Sequence, residues 1–280
     1  ISSNYGSYLK DVSAWGGNDN VPPQYGKVYV SLVFLDGTSK SVQDQVKNQI
    51  KDQLTSNLSI MSIDTEFVDP LETFFEIQTT FNVDPIKNLT TLEALESNVG
   101  TLISQYVSDN LGTFGAIFRR SNLLSEIDNL STAILNSRID VKVQQRATPS
   151  LNVEKDYVLN YPCALSTTDK DTHVVTSTVF KNPIHGNVVI KNELGSNRLQ
   201  MLDLDGVVKI QNIGSYDASK GEVKLNALNI SQVSGDSLKV SAVPANPSTI
   251  SPLRNYVITL DEEISNVNGL IDTGSTKVLL

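Results

Sequence analysis

The chain has 280 residues and carries 22 Lys and Arg against 31 Asp and Glu, a net charge of −9. That length is enough for two ordinary domains, each with its own core. The acidic balance argues against a surface that tracks nucleic-acid phosphates, which needs clustered positive charge, and the single cysteine, Cys163, cannot form an internal disulfide.

The first structured segment is Trp15-Gly16-Gly17-Asn18-Asp19-Asn20-Val21-Pro22-Pro23-Gln24-Tyr25-Gly26, which runs into the alternating stretch Lys27–Ser31 and holds the only tryptophan. Paired glycines reach backbone angles closed to other residues. Pro22-Pro23 fixes φ and extends the chain, so a stiff loop with aromatic anchors at both ends is expected. Val28, Val30 and Leu32 then share one face of a strand, with Lys27, Tyr29 and Ser31 on the other. Asp36-Gly37 marks a turn. Ser41-Val42-Gln43-Asp44 predicts a capped helix start, followed by Val42, Val46, Ile50, Leu54 and Leu58 as one apolar stripe.

After Asp69-Pro70 the pattern changes to period two. Thr73, Phe75, Ile77, Thr79, Phe81 and Val83 fall opposite Glu72, Glu76, Gln78 and Asn82, which predicts a long strand with one wet face. Thr90-Thr91-Leu92-Glu93 starts a second helix carrying Leu92, Leu95, Val99, Leu102, Ile103, Tyr106 and Val107 inward, ending near Asn110 and Gly112. A third begins near Ser121 with Leu123, Leu124, Ile127 and Leu130 inward. Asn136-Ser137 is then expected to turn the chain into a strand with Ile139, Val141 and Val143.

From Ala147 the helix signal disappears. Tyr157–Leu159, Val188–Ile190, Leu199–Leu204, Val207–Ile210, Val223–Leu225, Leu238–Val240 and Tyr256–Leu260 alternate with Gly, Asn, Asp, Ser and Pro clusters, the pattern of many short strands and turns. The expected fold is therefore α+β: an N-terminal mixed sheet with helices packed on one face, followed by a β-rich C-terminal domain. Its divisions are a rigid leading segment 1–26, an α+β domain 27–146 and a β-rich domain 147–280. Residues 1–146 hold 17 acidic and 11 basic side chains and residues 147–280 hold 14 and 11, so neither half is a basic module. No leader and no apolar run of bilayer length is present, so no membrane insertion is expected, and a start without Met is expected of a fragment or a processed chain.

Motifs with catalytic potential are few. Asp272-Thr273-Gly274-Ser275 resembles the aspartic-protease tetrad, a chemistry that needs two close carboxylates sharing a proton. Only five residues follow Ser275, too few to build a substrate-enclosing flap. His173 and His185 lack partners at metal-ligand spacing. Asp203-Leu204-Asp205-Gly206 begins like a calcium loop but has no closing Glu, which favours a β-turn. The Asn-x-Ser/Thr triplets at Asn57, Asn88, Asn129 and Asn229 arise easily in an Asn- and Ser-rich chain. Arg119-Arg120 reads as a salt-bridging or contact pair. No cofactor, no metal and no catalytic residue is expected, and the chain is read as a non-enzyme.

The order Trp-Gly-Gly-x-Asp-Asn-x-Pro-Pro-x-Tyr-Gly-Lys-Val in Trp15–Val28 closely resembles the wedge subunit of contractile-tail phage baseplates of T-even type, in the Baseplate-J-like family. Ile63–Val83 with its Asp69-Pro70, the stretch Gly112 to Gln145, and the shorter Gly221-Glu222-Val223 and Arg254-Asn255-Tyr256 agree with that pattern, with the resemblance lying in the C-terminal part of a longer protein. The resemblance implies a late structural virion protein of the tail baseplate, assembled in the host cytoplasm. Such subunits occur in two copies per wedge, contact one another and other wedge subunits, join wedges around the tail tube, and support sheath contraction and genome ejection. Trp15, Tyr25, Arg119 and Arg120 are the expected protein-interface residues, because aromatic and Arg side chains concentrate at interface centres. The alternative classes are a carbohydrate-binding tail-fibre or adhesin module, using Tyr157, Tyr161, Phe180, Tyr216 and Tyr256, and a dimeric aspartic protease.

Overall fold

A computed structural model describes residues 2–20, 22–35, 37–57, 64–252 and 255–272. The chain folds into two compact units. The first comprises Ile1–Glu72, Gly112–Ala116 and Pro252–Val257, and the second Thr73–Leu111, Ile117–Ser251 and Ile258–Leu280. The architecture is α+β and rich in strands.

In the first unit a short helix α1 (Ser2–Tyr5) precedes β1 (Leu9–Gly16), a 3-10 turn (Gly17–Asp19), β2 (Lys27–Phe34), α2 (Lys40–Asn57) and β3 (Asp64–Phe67). β1 pairs antiparallel with β2, and β2 pairs parallel with β3 through the α2 crossover. The stripe on α2 packs as its period requires. Val46 and Ile50 are buried with Tyr5, Leu9, Val30 and Leu32, and Val42 and Leu54 pack against them. Leu58 and Asp36 lie outside the described residues. The helix starts earlier than the Ser41 cap implies: Val42 N–H points to Ser39 Oγ at 3.5 Å, because a first helical residue at Lys40 puts Ser39 at the cap. β1 itself was not legible, since Leu9–Gly16 has no alternation. It pairs with β2 through seven registered residues.

The second unit is built on one large sheet. β4 (Leu71–Val83), α3 (Leu92–Leu111), β5 (Phe118–Arg119), α4 (Arg120–Leu130) and β6 (Ile134–Ala147) come first. They are followed by β7 (Glu154–Asn160), β8 (Val175–Ser177), β9 (Phe180–Asn182), β10 (Gly186–Asn192), β11 (Arg198–Asp203), β12 (Val208–Asp217) and β13 (Glu222–Asn229). β14 (Gln232–Val233), β15 (Leu238–Ala242), β16 (Thr249–Ile250), β17 (Tyr256–Leu260) and β18 (Asn266–Ile271) complete the order. The sheet runs β17-β4-β6-β15-β8-β10-β11-β12-β13-β7, with β18 parallel to β4.

The long pair β4–β6 follows the period-two pattern. Thr73, Phe75, Ile77, Thr79, Phe81 and Val83 are all buried, and Phe75 meets Phe118 edge to face at 5.3 Å. The opposite face is not wet throughout, as Glu76 is buried and takes Lys142 Nζ at 3.3 Å. α3 starts after Thr91, whose Oγ1 accepts the Ala94 N–H at 3.2 Å, and it buries Leu95, Val99, Ile103, Tyr106 and Val107. α4 buries Leu123 and Ile127 but leaves Leu130 exposed at its last position. Asn136-Ser137 does not turn the chain. Both lie inside β6, and the reversal occurs at Ser131, whose Oγ and carbonyl accept the Ala133 and Ile134 N–H groups. Each of the seven apolar stretches beyond residue 147 falls on a strand, except that Leu204 and Val207 lie in the turn between β11 and β12. The two- and three-residue strands β8, β9, β14 and β16 were too short to show a period.

Candidate functional site

The segment singled out by its residue order forms the turn between β1 and β2. Trp15 is the cross-strand partner of Tyr29, and their rings stack at 5.7 Å with planes 19° apart. Each polar tip has a partner on the intervening loop: Trp15 Nε1–H donates to Asn20 Oδ1 at 3.0 Å, and Tyr29 Oη–H donates to Gln24 Oε1. The loop backbone converges on one carbonyl. Gly17 C=O accepts the N–H of Asn20 at 3.1 Å and of Gln24 at 2.7 Å. A Cβ at buried Gly17 would stand 2.0 Å from Gln24 O and 3.2 Å from Lys27 O, so only glycine permits this approach. Tyr29 and Ser31 are buried on the face of β2 opposite Val30, so both faces of the strand are covered. Beside the loop Lys27 and Glu66 pair at 2.8 Å, and the hydrogen bond and charge of Glu66 hold the Lys27 ammonium pKa above its ordinary value.

The expected interface residues fall in two places. Trp15 is half-buried under Tyr29, while Tyr25 is 82% exposed at the loop. Arg119 and Arg120 belong to the second unit. Arg119 is exposed, whereas Arg120 sends Nη1 to Ile139 O at 3.5 Å and Nη2 to Ser248 Oγ at 3.2 Å. The paired backbone of β5 and β16 shares this anchor, through Arg120 N–H to Ser248 O at 3.0 Å. Asn20, Gln24 and Tyr29 were not singled out. The signal available for them was a tyrosine on a strand face facing a tryptophan across a glycine-rich loop.

A buried charge cluster around Asp261 is structural in its geometry. Lys239 Nζ reaches Asp261 Oδ2 at 2.8 Å and Glu263 Oε2 at 2.7 Å, and Arg146 Nη2 reaches Asp261 Oδ2 at 3.0 Å with its guanidinium 3.4 Å from the Phe74 ring centroid. Burial works to raise the Asp261 pKa, but the hydrogen bond and charge of Lys239 together with Arg146 hold it below the ordinary carboxylate value. Burial likewise works to lower Lys239, and the two carboxylates hold it above its ordinary value. The carboxylate and ammonium are each saturated by neighbours, which leaves neither poised to move a proton.

Other candidates are similarly engaged. Cys163 is half-buried and burial pushes its thiol pKa up to about 11, away from a thiolate. His173 Nδ1 contacts Asn192 O at 2.7 Å. Asp203 closes a turn, its Oδ1 accepting the Asp205 and Val207 N–H groups and its Oδ2 taking Lys209 Nζ at 2.8 Å. Thr273, Gly274 and Ser275 of the protease-like tetrad lie outside the described residues, as do Val21, Ile63 and Arg254. Among the described residues no group of three or more His, Cys, Asp or Glu side chains could hold a metal ion, and no helix is long and apolar enough to cross a membrane. Tyr157, Tyr161, Phe180, Tyr216 and Tyr256 are all buried, which leaves none of the five as a platform for a sugar ring.

Residues 1–68 match the family model of baseplate structural protein gp6, C-terminal domain I, a baseplate wedge family of T4-type contractile tails. The match covers β1 to β3 and the whole Trp15 turn, and ends before β4. No curated protein matches the chain.

Proposed function

We propose that the chain is the C-terminal part of a baseplate wedge subunit that self-associates and joins neighbouring wedges around the tail tube, supporting tail assembly and sheath contraction. A baseplate structural role, and with it a place in the virion tail, rests on the family match over residues 1–68. The observation that carries the finer reading is the coincidence of that match with a unit whose β1–β2 connection presents Tyr25 at 82% exposure, while Trp15 is held by Tyr29 and Asn20. A ring of copies needs large complementary surfaces rather than a reactive cleft. The Asp261–Lys239–Arg146 cluster and the Asp203–Lys209 pair are engaged within the fold itself.

In this reading Trp15 positions the loop, Tyr25 and Arg119 meet other chains, and Arg120 anchors β5 to β16. The test is sedimentation equilibrium and light scattering of the chain with Tyr25→Ala and with Arg119→Ala. The expected result is concentration-dependent self-association that weakens in at least one variant while the circular dichroism spectrum is unchanged. A strict monomer across the full concentration range sinks the self-association part. Tail particles that assemble and contract without this chain sink the whole reading.

A further inference from the structure

Six large apolar side chains of the second unit are exposed at one end of its sheet: Ile86 at 76%, Leu89 at 96%, and Leu130, Leu135, Leu270 and Ile271 at 38–55%. Strand register brings them together. Val83 at the end of β4 is opposite Ile134 of β6 on one side and Ile271 of β18 on the other, and Asn82 is opposite Asn136 and Leu270. The Asp84 N–H donates to Ala133 O at 2.8 Å, which ties the loop after β4 to the segment after Leu130. That loop returns at Leu92, whose Cδ1 lies against Gly269 of β18.

The loop carrying Ile86 and Leu89 is braced at both ends. Asp84 Oδ1 accepts the Ile86 N–H at 2.9 Å, and Asp84 C=O accepts the N–H groups of Lys87 and Asn88. Asn88 Oδ1 accepts the N–H of Thr90 at 3.2 Å and its hydroxyl at 3.1 Å. Two aspartate-braced turns elsewhere in the unit carry polar tips, while a third, at Asp203, carries Leu204 and Val207 at 55–61% exposure. Asp217 holds Ser219 and Lys220 in this way, and Asp169 holds Asp171 and Thr172. Turn chemistry therefore does not require Ile86 or Leu89, and aliphatic side chains held in water on an ordered loop beside four more are the mark of a contact surface.

We propose that this end of the sheet docks on an apolar surface rimmed by Lys or Arg on a different protein chain. The choice of occupant follows from charge. Lys87 is paired with Asp84 at 3.9 Å, and the next cation along β6, Arg138, is paired with Asp140 at 3.0 Å. Glu93 on the first turn of α3, and Asp128, which accepts the Ser137 hydroxyl at 2.5 Å, have no basic side chain paired with them among the described residues. The rim of the patch is thus acidic. A second copy meeting the same patch about a two-fold axis would bring acidic rim to acidic rim, and an anionic lipid surface would be repelled likewise. An apolar centre with a basic border on another chain satisfies both the aliphatic side chains and the rim.

The proposal rests on the baseplate reading for the assembly that supplies the partner. The test uses tail particles carrying Leu89→Cys, treated with a maleimide–succinimide crosslinker that joins the new thiol to a nearby lysine, with the unsubstituted chain as control for Cys163. The expected result is labelling about tenfold slower in the particle than in the isolated chain, and a crosslink from position 89 to a lysine of a different protein, since a contact worth about 1.4 kcal/mol is tenfold in occupancy. Ile86→Asp with Leu89→Asp should lower incorporation by a similar factor and leave the unfolding temperature of the isolated chain unchanged, because both side chains are in solvent there. Equal labelling in particle and isolated chain overturns the proposal, as does a crosslink to a second copy. If the chain is absent from the particles altogether, the baseplate reading fails instead.

Discussion

The turn between β1 and β2 and the β4–β6 pair are both antiparallel, and they are stabilised by different means. The first sits on a small sheet of three strands, with a cluster of six buried apolar residues among those described, and relies on local polar closure: two aromatic tips capped by Asn20 and Gln24, and a glycine at which a side chain has no room. The second runs through ten registered pairs and relies on burial, with Phe75, Ile77, Phe81, Ile139 and Val143 at 1% exposure or less. A small sheet cannot bury enough apolar area to define one loop conformation, so sequence-specific loop contacts carry that task. A long buried pair tolerates ordinary turns because its register is set by which face meets the core.

That contrast can be broken most forcefully in the large sheet. Phe75→Ala removes a fully buried ring that packs on Phe118 and is expected to cost about 3–5 kcal/mol, read as a loss of the main circular dichroism transition at lower denaturant. Trp15 is the only tryptophan, so its fluorescence follows the first unit separately; a shift of both signals by the same amount would show that the two units unfold together.

Asp261→Ala comes next, at about 3 kcal/mol, since it leaves the ammonium of Lys239 buried without its main partner. The pH dependence has a definite sign. Asp261 is held below its unfolded value, so its contribution is fully present above the ordinary carboxylate range near pH 4 and is lost as pH falls through the lower folded value. Acid titration of the wild-type and Asp261→Ala chains should converge in stability as pH falls below the ordinary carboxylate range, and parallel curves would remove the buried pair from the account.

Gly17→Ala sharpens the comparison from the other side. The added methyl meets Gln24 O, and a cost of about 1–3 kcal/mol is expected, confined to the tryptophan fluorescence transition. Smallest is a gain: Ala227 in β13 sits at φ 47°, a left-handed conformation, and Ala227→Gly should stabilise the large sheet by up to about 1 kcal/mol in thermal unfolding.

Legibility followed the length of the repeating pattern. The stripe Val46, Ile50 and Leu54 and the alternation from Thr73 to Val83 repeat often enough to identify both element and buried face. Leu130 and the Asn136-Ser137 turn were misread for the opposite reason. Helical spacing continues to Leu130 although the helix ends there, and Asn and Ser favour turns only when no partner strand claims their backbone, as β4 does here. In the candidate site, Trp15 and Tyr25 stood out by residue type. Asn20, Gln24 and Tyr29 became visible only once the Trp15–Tyr29 pairing was known.

The sequence by itself determined the secondary-structure periods, the acidic balance, the stiffness of the Trp15 turn and a family resemblance that the family model matches over residues 1–68, because each depends on residues near one another in the chain. The tertiary structure alone decided that Arg120 is an anchor rather than a free contact, that Asp261 and Lys239 form a buried pair, and that Ile86, Leu89, Leu130, Leu135, Leu270 and Ile271 share one end of a sheet. These depend on strand order and register, which bring together residues up to about two hundred positions apart and which no local pattern encodes.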